Sequence, residues 1–173
     1  LKSTPIYWAT SMGLINLVVS LLKRGADANI ADSLGVNCLF LAAQNKNWRL
    51  VLVFASYGMA VDPIDFKGFT PLLWACSHRP NEKELIRALL SLGADVNATT
   101  TDKQSTALHC AVSGPKRSQW STVNTLLHAG VDIHAQVGLI LFHFINHVIS
   151  FRNYIIFYKH CENPLTFYLH IYT

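Results

Sequence analysis

Two histidines have the spacing best suited to metal chemistry in this sequence. His143 and His147 are four residues apart, so on a helix they would share one face, where two imidazoles can bind a metal ion. The zinc-protease pattern requires a glutamate after the first histidine, but Phe144 stands there and no third ligand is evident. We therefore interpret both histidines as solvated or packing residues and expect no metal site.

The other reactive residue types form no catalytic arrangement either. The four cysteines contain no closely spaced pair, which favours a reducing compartment over a disulfide framework; they are Cys38, Cys76, Cys110 and Cys161. Glu82 and Glu84 begin a predicted helix, where carboxylates stabilise the helix dipole rather than perform acid–base chemistry. No glycine-rich phosphate loop is present. We expect no catalysis by this chain, no cofactor and no small-molecule substrate.

The composition points to a folded domain without a nucleic-acid partner. The chain has 173 residues, of which 51% are hydrophobic and only 14% charged, so disorder is excluded as the default. The net charge is +4, but the basic residues form no block of the kind that binds nucleic acid.

Two signatures recur with a period of about 33 residues, and they organise most of the chain. The first is a Thr or Asn followed by a short apolar run: STPIYWAT, VNCLFLAA, FTPLLWAC and STALHCAV. The Thr or Asn is the second residue of each string. These residues are Thr4, Asn37, Thr70 and Thr106, and they are spaced 33, 33 and 36 residues apart. The second signature contains a glycine in the same phase, as in LLKRGADAN and LLSLGADVN; these glycines are Gly25, Gly58, Gly93 and Gly130. Two signatures that recur with the same period indicate a repeat protein.

Each repeat predicts two helices joined by a turn. The Thr or Asn side chain can cap the first helix by accepting a backbone N–H, and Pro5 and Pro71 suit the first helical position. Apolar residues at helical spacing, such as Leu17 and Leu22, predict a second, longer helix. The glycine suits a C-terminal cap with positive φ, and the Asp- and Asn-rich segment after it predicts a turn. We expect Leu22 and Leu90 in the core between stacked repeats.

These residues resemble the ankyrin-repeat family, whose repeats open with Thr-Pro-Leu-His-x-Ala and close with Leu-Leu-x-x-Gly-Ala-Asp. The family's histidine is replaced by Tyr7, Phe40 and Leu73 and is kept as His109. The resemblance implies an all-α solenoid of stacked helix-turn-helix units with short β-turn or hairpin loops. The expected boundaries are ankyrin repeats over 1–136, at about 3–36, 37–69, 70–105 and 106–136, and then an irregular or helical tail over 137–173.

One position of the first helix carries large apolar side chains. Four residues after each capping residue stand Trp8, Leu41, Trp74 and Cys110. In ankyrin stacks this position is variable and points toward the concave groove, so the resemblance implies one apolar stripe. Such a stripe could fill the core, because tryptophan is often largely buried. A contiguous exposed apolar strip instead marks an interaction site, and we interpret the stripe as part of a peptide-binding groove.

The residues one turn further along would complete the floor of this groove. They are Ser11, Met12, Gln44, Asn45, Ser77 and His78. Their polar members could bond an extended peptide backbone while Trp8 and Trp74 hold its apolar side chains. The predicted partner is therefore a protein or peptide segment, and we expect the chain to be a monomer.

The tryptophans also narrow the resemblance within the ankyrin family. The strings YWAT (7–10), LAAQ (41–44), FTPLLWA (69–75) and TALHCAV (106–112) are similar, in this order, to the ankyrin segment of DHHC-type palmitoyltransferases. Cys110 departs from that arrangement, since a tryptophan is expected there. The resemblance implies substrate recruitment to a membrane acyltransferase whose catalytic part lies outside this chain, because the Asp-His-His-Cys motif is absent from the sequence.

This context implies an intracellular segment facing the cytosol, at a Golgi-type endomembrane if the parent is a palmitoyltransferase. Two alternatives stay open: a non-enzymatic ankyrin adaptor or scaffold, and a membrane-anchored ankyrin protein that uses the C-terminal tail. The chain begins within a repeat motif, so we expect a fragment of a longer protein.

The tail breaks the repeat pattern with a sudden excess of Ile, Phe, Tyr and His over residues 137–173. Residues 137–158 reach the length of about 20 residues that a membrane-spanning helix needs, but they include Arg152 and Asn153 as well as histidines. A second interpretation is a makeshift cap on the fourth repeat. A third is non-native read-through of an intron, because the Gln-Val-Gly that begins at Gln136 is what a splice donor encodes when it is translated.

Overall fold

The computed structural model describes residues 4–78, 82–101, 104–113 and 119–135. Within these ranges the chain forms eight helices in four successive pairs, which confirms the expected all-α class. The pairs are α1 (Pro5–Ser11) with α2 (Ile15–Lys23), α3 (Cys38–Gln44) with α4 (Trp48–Ser56), α5 (Pro71–His78) with α6 (Lys83–Ser91), and α7 (Ala107–Ser113) with α8 (Gln119–His128). The tail over 137–173, including His143 and His147, lies outside the described residues.

The first helix of each pair begins where its capping residue predicts. The Thr4 hydroxyl accepts the Tyr7 N–H over 3.3 Å, and the Asn37 side chain accepts the Phe40 N–H over 3.0 Å. Both capping residues have extended backbone angles, so the chain enters the helix directly after them. The predicted helix starts are therefore confirmed, and they fix the register of every residue on the first helices.

The second helix of each pair ends two residues before its predicted glycine. Gly25, Gly58, Gly93 and Gly130 all have φ between 79° and 87°, the left-handed conformation that ends a helix most easily at glycine. At Gly25, the glycine N–H donates to the Leu22 carbonyl over 2.9 Å, and the next N–H, from Ala26, donates to the Leu21 carbonyl over 3.0 Å. These bonds satisfy carbonyls that the end of the helix would otherwise leave unpaired.

The helix pairs stack so that like helices meet. α1 packs on α3, α3 on α5 and α5 on α7, while α2, α4, α6 and α8 form a parallel series of contacts. Alanine at one position of each first helix allows close approach; these residues are Ala9, Ala42, Ala75 and Ala111, all buried. Since a single helix pair cannot bury its apolar face, the stack supplies the core.

The core residues of the second helices differ from the sequence-based expectation. Leu22 in α2 and Leu90 in α6 are only half-buried, whereas Val18 in α2 and Leu89 in α6 are fully buried. In α6, Leu89 and Leu90 are one residue apart, which is a rotation of about 100° and is enough to move a side chain from the face between repeats to its flank.

An aspartate organises the loop after each of the first two repeats. The Asp32 N–H donates to the Val36 carbonyl over 3.0 Å, and Asp32 Oδ1 accepts the Val36 N–H over 3.0 Å. Asp65 and Phe69 make the same two bonds over 3.0 and 2.8 Å. These closed turns are the short hairpin-like loops that the repeat pattern predicts, and they set the offset from one repeat to the next.

Candidate functional site

The apolar stripe occupies the fourth position of each first helix, but it is not open along its length. Trp8 on α1 is 59% exposed, whereas Leu41 on α3 and Cys110 on α7 are each only 8% exposed. Trp74 on α5 is intermediate. The expectation of a continuous exposed stripe is therefore corrected: the same helix position lies in the open at one end and is covered further along.

Leu41 belongs to a buried cluster against which aromatic side chains of neighbouring repeats pack. Val36, Phe40 and Leu41 form a buried cluster, and Tyr7 from the preceding repeat and Trp74 from the following repeat pack against this cluster. Burial of this apolar surface contributes to the contact between three successive repeats, at roughly 25 cal/mol per Å² removed from water. The middle of the stripe thus belongs to the core.

Trp74 is also engaged by residues of its own repeat. Its ring stacks on the His78 ring, with centroids 4.8 Å apart and planes inclined by 13°. His78 in turn meets Phe69 edge to face at 6.2 Å, and its Nδ1 lies 3.3 Å from the Trp74 carbonyl oxygen. One face of the indole is therefore already occupied, so a partner at this position would meet Trp74 together with His78.

Trp8 and Met12 are the exposed large apolar residues of the predicted groove. They are 59% and 69% exposed and lie four residues apart, so they neighbour each other across one helical turn. Ser11 beside them is exposed as well. The opposite side of α1 is fixed by the buried residues Ile6 and Ala9. A firmly packed helix thus presents two large apolar side chains to solvent.

The polar residues of the groove floor are partly used for contacts between repeats. Asn45 is exposed, and its Nδ2 donates to the Ser11 carbonyl over 3.3 Å, which ties α3 to α1. Gln44 and Ser77 are half-buried, and His78 is exposed. Five of the ten predicted site residues are exposed. Trp8, Ser11, Met12 and Asn45 lie at the first and second repeats, and His78 lies on α5.

An ion pair that sequence reasoning missed borders this floor. Lys46 Nζ lies 2.7 Å from Glu82 Oε1, and this contact joins the connection between α3 and α4 to the start of α6. Lys46 has a φ of 62°, a conformation that the equivalent Gly13 in the first repeat adopts with a φ of 71°. The first repeat has glycine at this position and the second repeat has lysine. A lysine where the backbone favours glycine is the sequence signal that could have indicated a side-chain contact here.

The tyrosine that replaces the family's histidine makes a hydrogen bond to the loop that leads into the second repeat. Tyr7 Oη donates to Asp32 Oδ2 over 2.7 Å. Burial, followed by the Asp32 hydrogen bond and charge, raises the pKa of Tyr7. Burial alone would raise the pKa of Asp32, but hydrogen bonds from Tyr7 and from the Val36 and Leu34 N–H groups together lower it. The pair therefore stays a neutral phenol and a carboxylate at neutral pH.

Burial keeps two of the described cysteines in the unreactive thiol form. Cys38, Cys76 and Cys110 are all buried. Burial raises the pKa of Cys38 to about 11 and raises the pKa of Cys76 even further. Because the thiolate is the reactive form, both residues act as small core side chains at neutral pH.

The stacked helix pairs define a solenoid repeat protein. Residues 6–100 match ankyrin repeats in three copies, and residues 103–137 match a further ankyrin repeat. The chain belongs to the ankyrin-repeat family.

Several curated proteins are similar to this chain over its repeat region. Palmitoyltransferase ZDHHC17 of Homo sapiens is 38% identical over 136 residues, which is 79% of this chain and 21% of that protein. Palmitoyltransferase ZDHHC13 of Homo sapiens is 31% identical over 136 residues, which is again 79% of this chain and 21% of that protein. Palmitoyltransferase AKR1 of Lachancea kluyveri is 32% identical over 137 residues, or 76% of this chain and 18% of that protein. The chain spans about a fifth of the length of these relatives.

Among the described residues, no helix combines the length and the apolar character needed to cross a bilayer.

Proposed function

We propose that the chain binds a segment of another protein along the concave side of its first helices, with Trp8 as the principal contact. The observation that carries this proposal is that Trp8 is 59% exposed although α1 is anchored by the buried residues Ile6 and Ala9. Exposing so large an apolar ring is costly unless a partner covers it, and tryptophan is enriched at the energetic centres of interfaces.

The neighbours of Trp8 favour an extended peptide with apolar side chains. Met12 offers a second apolar contact whose flexible side chain can adapt to different partners. Ser11 and Asn45 supply polar groups beside it, and Trp74 with His78 supplies a second aromatic contact on α5. Gln44 and Ser77 would complete the polar floor, while buried Leu41 and Cys110 would support the site from below.

We further propose that this is the substrate-recruiting ankyrin part of a DHHC-type protein S-acyltransferase, placed on the cytosolic face of a Golgi-type membrane. Support comes from the similarity over 136 residues to palmitoyltransferases. The complete coding sequence of the parent tests this proposal. Transmembrane segments and an Asp-His-His-Cys motif are expected; a parent without them would be a non-enzymatic adaptor.

Peptide selection tests the binding proposal directly. A random peptide-display library is selected against the full chain, and one recovered peptide is synthesised with a fluorophore. Fluorescence polarisation is expected to show that Trp8→Ala weakens binding at least about tenfold, which corresponds to about 1.4 kcal/mol.

The matched control is Trp48→Ala, because Trp48 is a half-buried tryptophan at the start of α4, outside the groove. It is expected to leave affinity unchanged. Circular dichroism establishes that both variants are folded. Equal affinity of wild type and Trp8→Ala for every recovered peptide would reject Trp8 as the contact.

A further inference from the structure

The loops after the first and second repeats carry large apolar side chains that meet solvent. Leu34 in the first loop is 51% exposed, and Ile64 and Phe66 in the second loop are 61% and 64% exposed. Polar and small residues are the usual ones in such turns. We call Leu34, Ile64 and Phe66 the loop patch. None of these three residues belongs to the predicted groove, so a partner bound at Trp8 does not account for their exposure.

The backbone holds the tips of the two loops against each other. The Phe66 N–H donates to the Leu34 carbonyl over 3.1 Å. A Cβ atom at Gly35, which has a φ of 79°, would lie 3.1 Å from the Phe66 nitrogen, so the glycine permits this close approach. The loop patch is therefore one surface on a fixed backbone rather than three scattered side chains. An exposed apolar patch of this kind marks an interaction site.

The apolar side chains are not needed to join one loop to the next. Thr101 in the third loop makes the corresponding contact with the second, because its Oγ1 donates to the Lys67 carbonyl over 2.9 Å. Thr99 and Thr101 are both exposed, and they place hydroxyl groups where the first two loops have Leu34 and Phe66. Stacking of the repeats is thus compatible with polar loop residues, and it does not explain the loop patch.

The same two loops carry an excess of negative charge. Residues 26–36 and 59–69 contain four aspartates and one basic residue. The aspartates are Asp27, Asp32, Asp62 and Asp65. The basic residue is Lys67, whose Nζ lies 5.8 Å from the centre of the Phe66 ring. This contact shows that the exposed Phe66 ring attracts a cation.

The charge of the loops distinguishes the possible occupants of the patch. A second copy of the chain would bring two negatively charged pairs of loops together, which like charges oppose. An anionic membrane surface would be repelled in the same way. A protein segment with lysine or arginine beside its apolar side chains has the complementary charge, and its cations would be attracted to the aspartates and to the Phe66 ring.

We infer that the loop patch is a second interaction surface, which binds a protein segment that carries lysine or arginine beside apolar side chains. The apolar side chains of this segment cover Leu34, Ile64 and Phe66, and its basic side chains face the loop aspartates. The surface uses none of the residues proposed to form the groove, so it is tested in a chain from which the Trp8 indole has been removed.

Peptide selection on such a chain tests the inference. A random peptide-display library is selected against the full chain carrying Trp8→Ala, and the most enriched peptide is synthesised with a fluorophore. The enriched peptides are expected to be more positively charged than the unselected library and to contain large apolar residues. Fluorescence polarisation is expected to show that adding Phe66→Ser raises the Kd at least about tenfold.

The matched control for Phe66→Ser is Leu14→Ser. Leu14 is 44% exposed, but it lies in the turn between α1 and α2 rather than in a loop between repeats. It is expected to leave the Kd unchanged. Circular dichroism establishes that both variants are folded.

Asp65→Asn tests the role of charge beside the patch. Asp65 Oδ1 accepts the Lys67 N–H over 2.9 Å and the Phe69 N–H over 2.8 Å, and the amide oxygen of asparagine can keep both bonds. The substitution is expected to raise the Kd about threefold in 50 mM NaCl and to have little effect in 500 mM NaCl, because salt screens exposed charges. Asp132→Asn is the control, since Asp132 is exposed in the loop after the last repeat.

Four results would overturn the inference. Two concern the peptides: enriched peptides that bind equally well with Phe66→Ser, and enriched peptides without an excess of positive charge. The others are binding of the chain to phosphatidylserine vesicles and self-association of the chain, if Phe66→Ser abolishes either of them. Vesicle sedimentation and sedimentation velocity detect these two, and they would make a lipid surface or a second copy the occupant. Because the selected chain lacks the Trp8 indole, a negative result rejects the loop patch and leaves the proposal for Trp8 standing.

Discussion

Tyr7 Oη donates a hydrogen bond of 2.7 Å to Asp32 Oδ2, which joins the first helix of repeat one to the loop that leads into repeat two. Because the acceptor is a carboxylate, we expect Tyr7→Phe to lower the free energy of unfolding by about 1–2 kcal/mol at pH 7, less than a fully buried charged bond because Asp32 is partly exposed. Urea denaturation measures this loss. Tyr57→Phe, which removes the hydroxyl of an exposed tyrosine, is the control.

The same pair predicts a dependence on pH. The pKa of Asp32 is lowered in the folded chain, so its contribution is fully present above the unfolded value of about 3.9 and is lost as the pH falls through the lower, folded value. The pKa of Tyr7 is raised, so its contribution is present below about 10 and is lost at higher pH. The penalty of Tyr7→Phe should therefore shrink when the pH is lowered from 7 toward 3. A penalty that stays constant over this range would mean that the carboxylate charge plays no part.

Leu89 and Leu90 are adjacent on α6. The same substitution at each residue therefore compares a fully buried position with a half-buried one. Leu89 is fully buried, so Leu89→Ala is expected to cost about 2–5 kcal/mol of unfolding free energy through lost burial and a residual cavity. Leu90 is only half-buried, so Leu90→Ala is expected to cost less than half as much. Chemical denaturation of the two variants measures the difference. Equal losses would show that Leu90 belongs to the core, as the sequence alone predicts.

The features that the sequence predicted well are determined locally. The caps at Thr4 and Asn37 and the positive φ of Gly25 follow from residue type and a few neighbours along the chain. The exposure of the stripe could not be predicted in this way. Leu41 is buried because Tyr7 and Trp74, each 33 or 34 residues away, close over its cluster, and such contacts depend on side-chain packing between repeats.

Lys46 combines a strained backbone with an ion pair. Two variants separate the effects of these two features on stability. Glu82→Gln removes only the ion pair, and we expect it to destabilise the chain by less than about 1 kcal/mol, because both partners are partly exposed to solvent. Lys46→Gly removes the ion pair as well, but it relieves the φ of 62°, which costs a non-glycine residue about 1 kcal/mol. Lys46→Gly should consequently be at least as stable as Glu82→Gln.

Thermal denaturation in low salt and in 1 M NaCl measures both effects. Salt should narrow the gap between Glu82→Gln and wild type, because it screens the ion pair. It should leave the gap between Lys46→Gly and Glu82→Gln nearly unchanged, since backbone strain is not screened. A Lys46→Gly chain that is clearly less stable than Glu82→Gln would contradict the assignment of strain at this position.

Asp62 is a carboxylate in a position where the next repeat has an amide. Asp62 Oδ2 accepts the Asp95 N–H over 2.9 Å, and in the following repeat Asn97 Oδ1 accepts the Asp132 N–H over 2.7 Å. The second oxygen, Asp62 Oδ1, is buried without a partner among the described residues. Burial raises the pKa of Asp62, and the charge of Asp95 adds to the effect although the Asp95 N–H opposes it.

Asp62→Asn is therefore expected to stabilise the chain at pH 7. The amide oxygen can keep the bond from the Asp95 N–H, as Asn97 does toward Asp132, while the charge is removed. Since the folded pKa of Asp62 is raised, the wild type is penalised above the unfolded value of about 3.9, and the penalty vanishes as the carboxyl group becomes protonated at lower pH. The gain of Asp62→Asn should thus be largest at neutral pH and smallest near pH 3.

Urea denaturation of both chains between pH 3 and pH 7 measures this trend. Asp132→Asn is the control, because Asp132 is exposed in the equivalent loop after the last repeat; it removes one negative charge from the surface and corrects for the change in net charge. If Asp62→Asn were neutral or destabilising at pH 7 while the control was unaffected, the carboxylate would be making a favourable contact through Oδ1. Its burial would then contribute to stability.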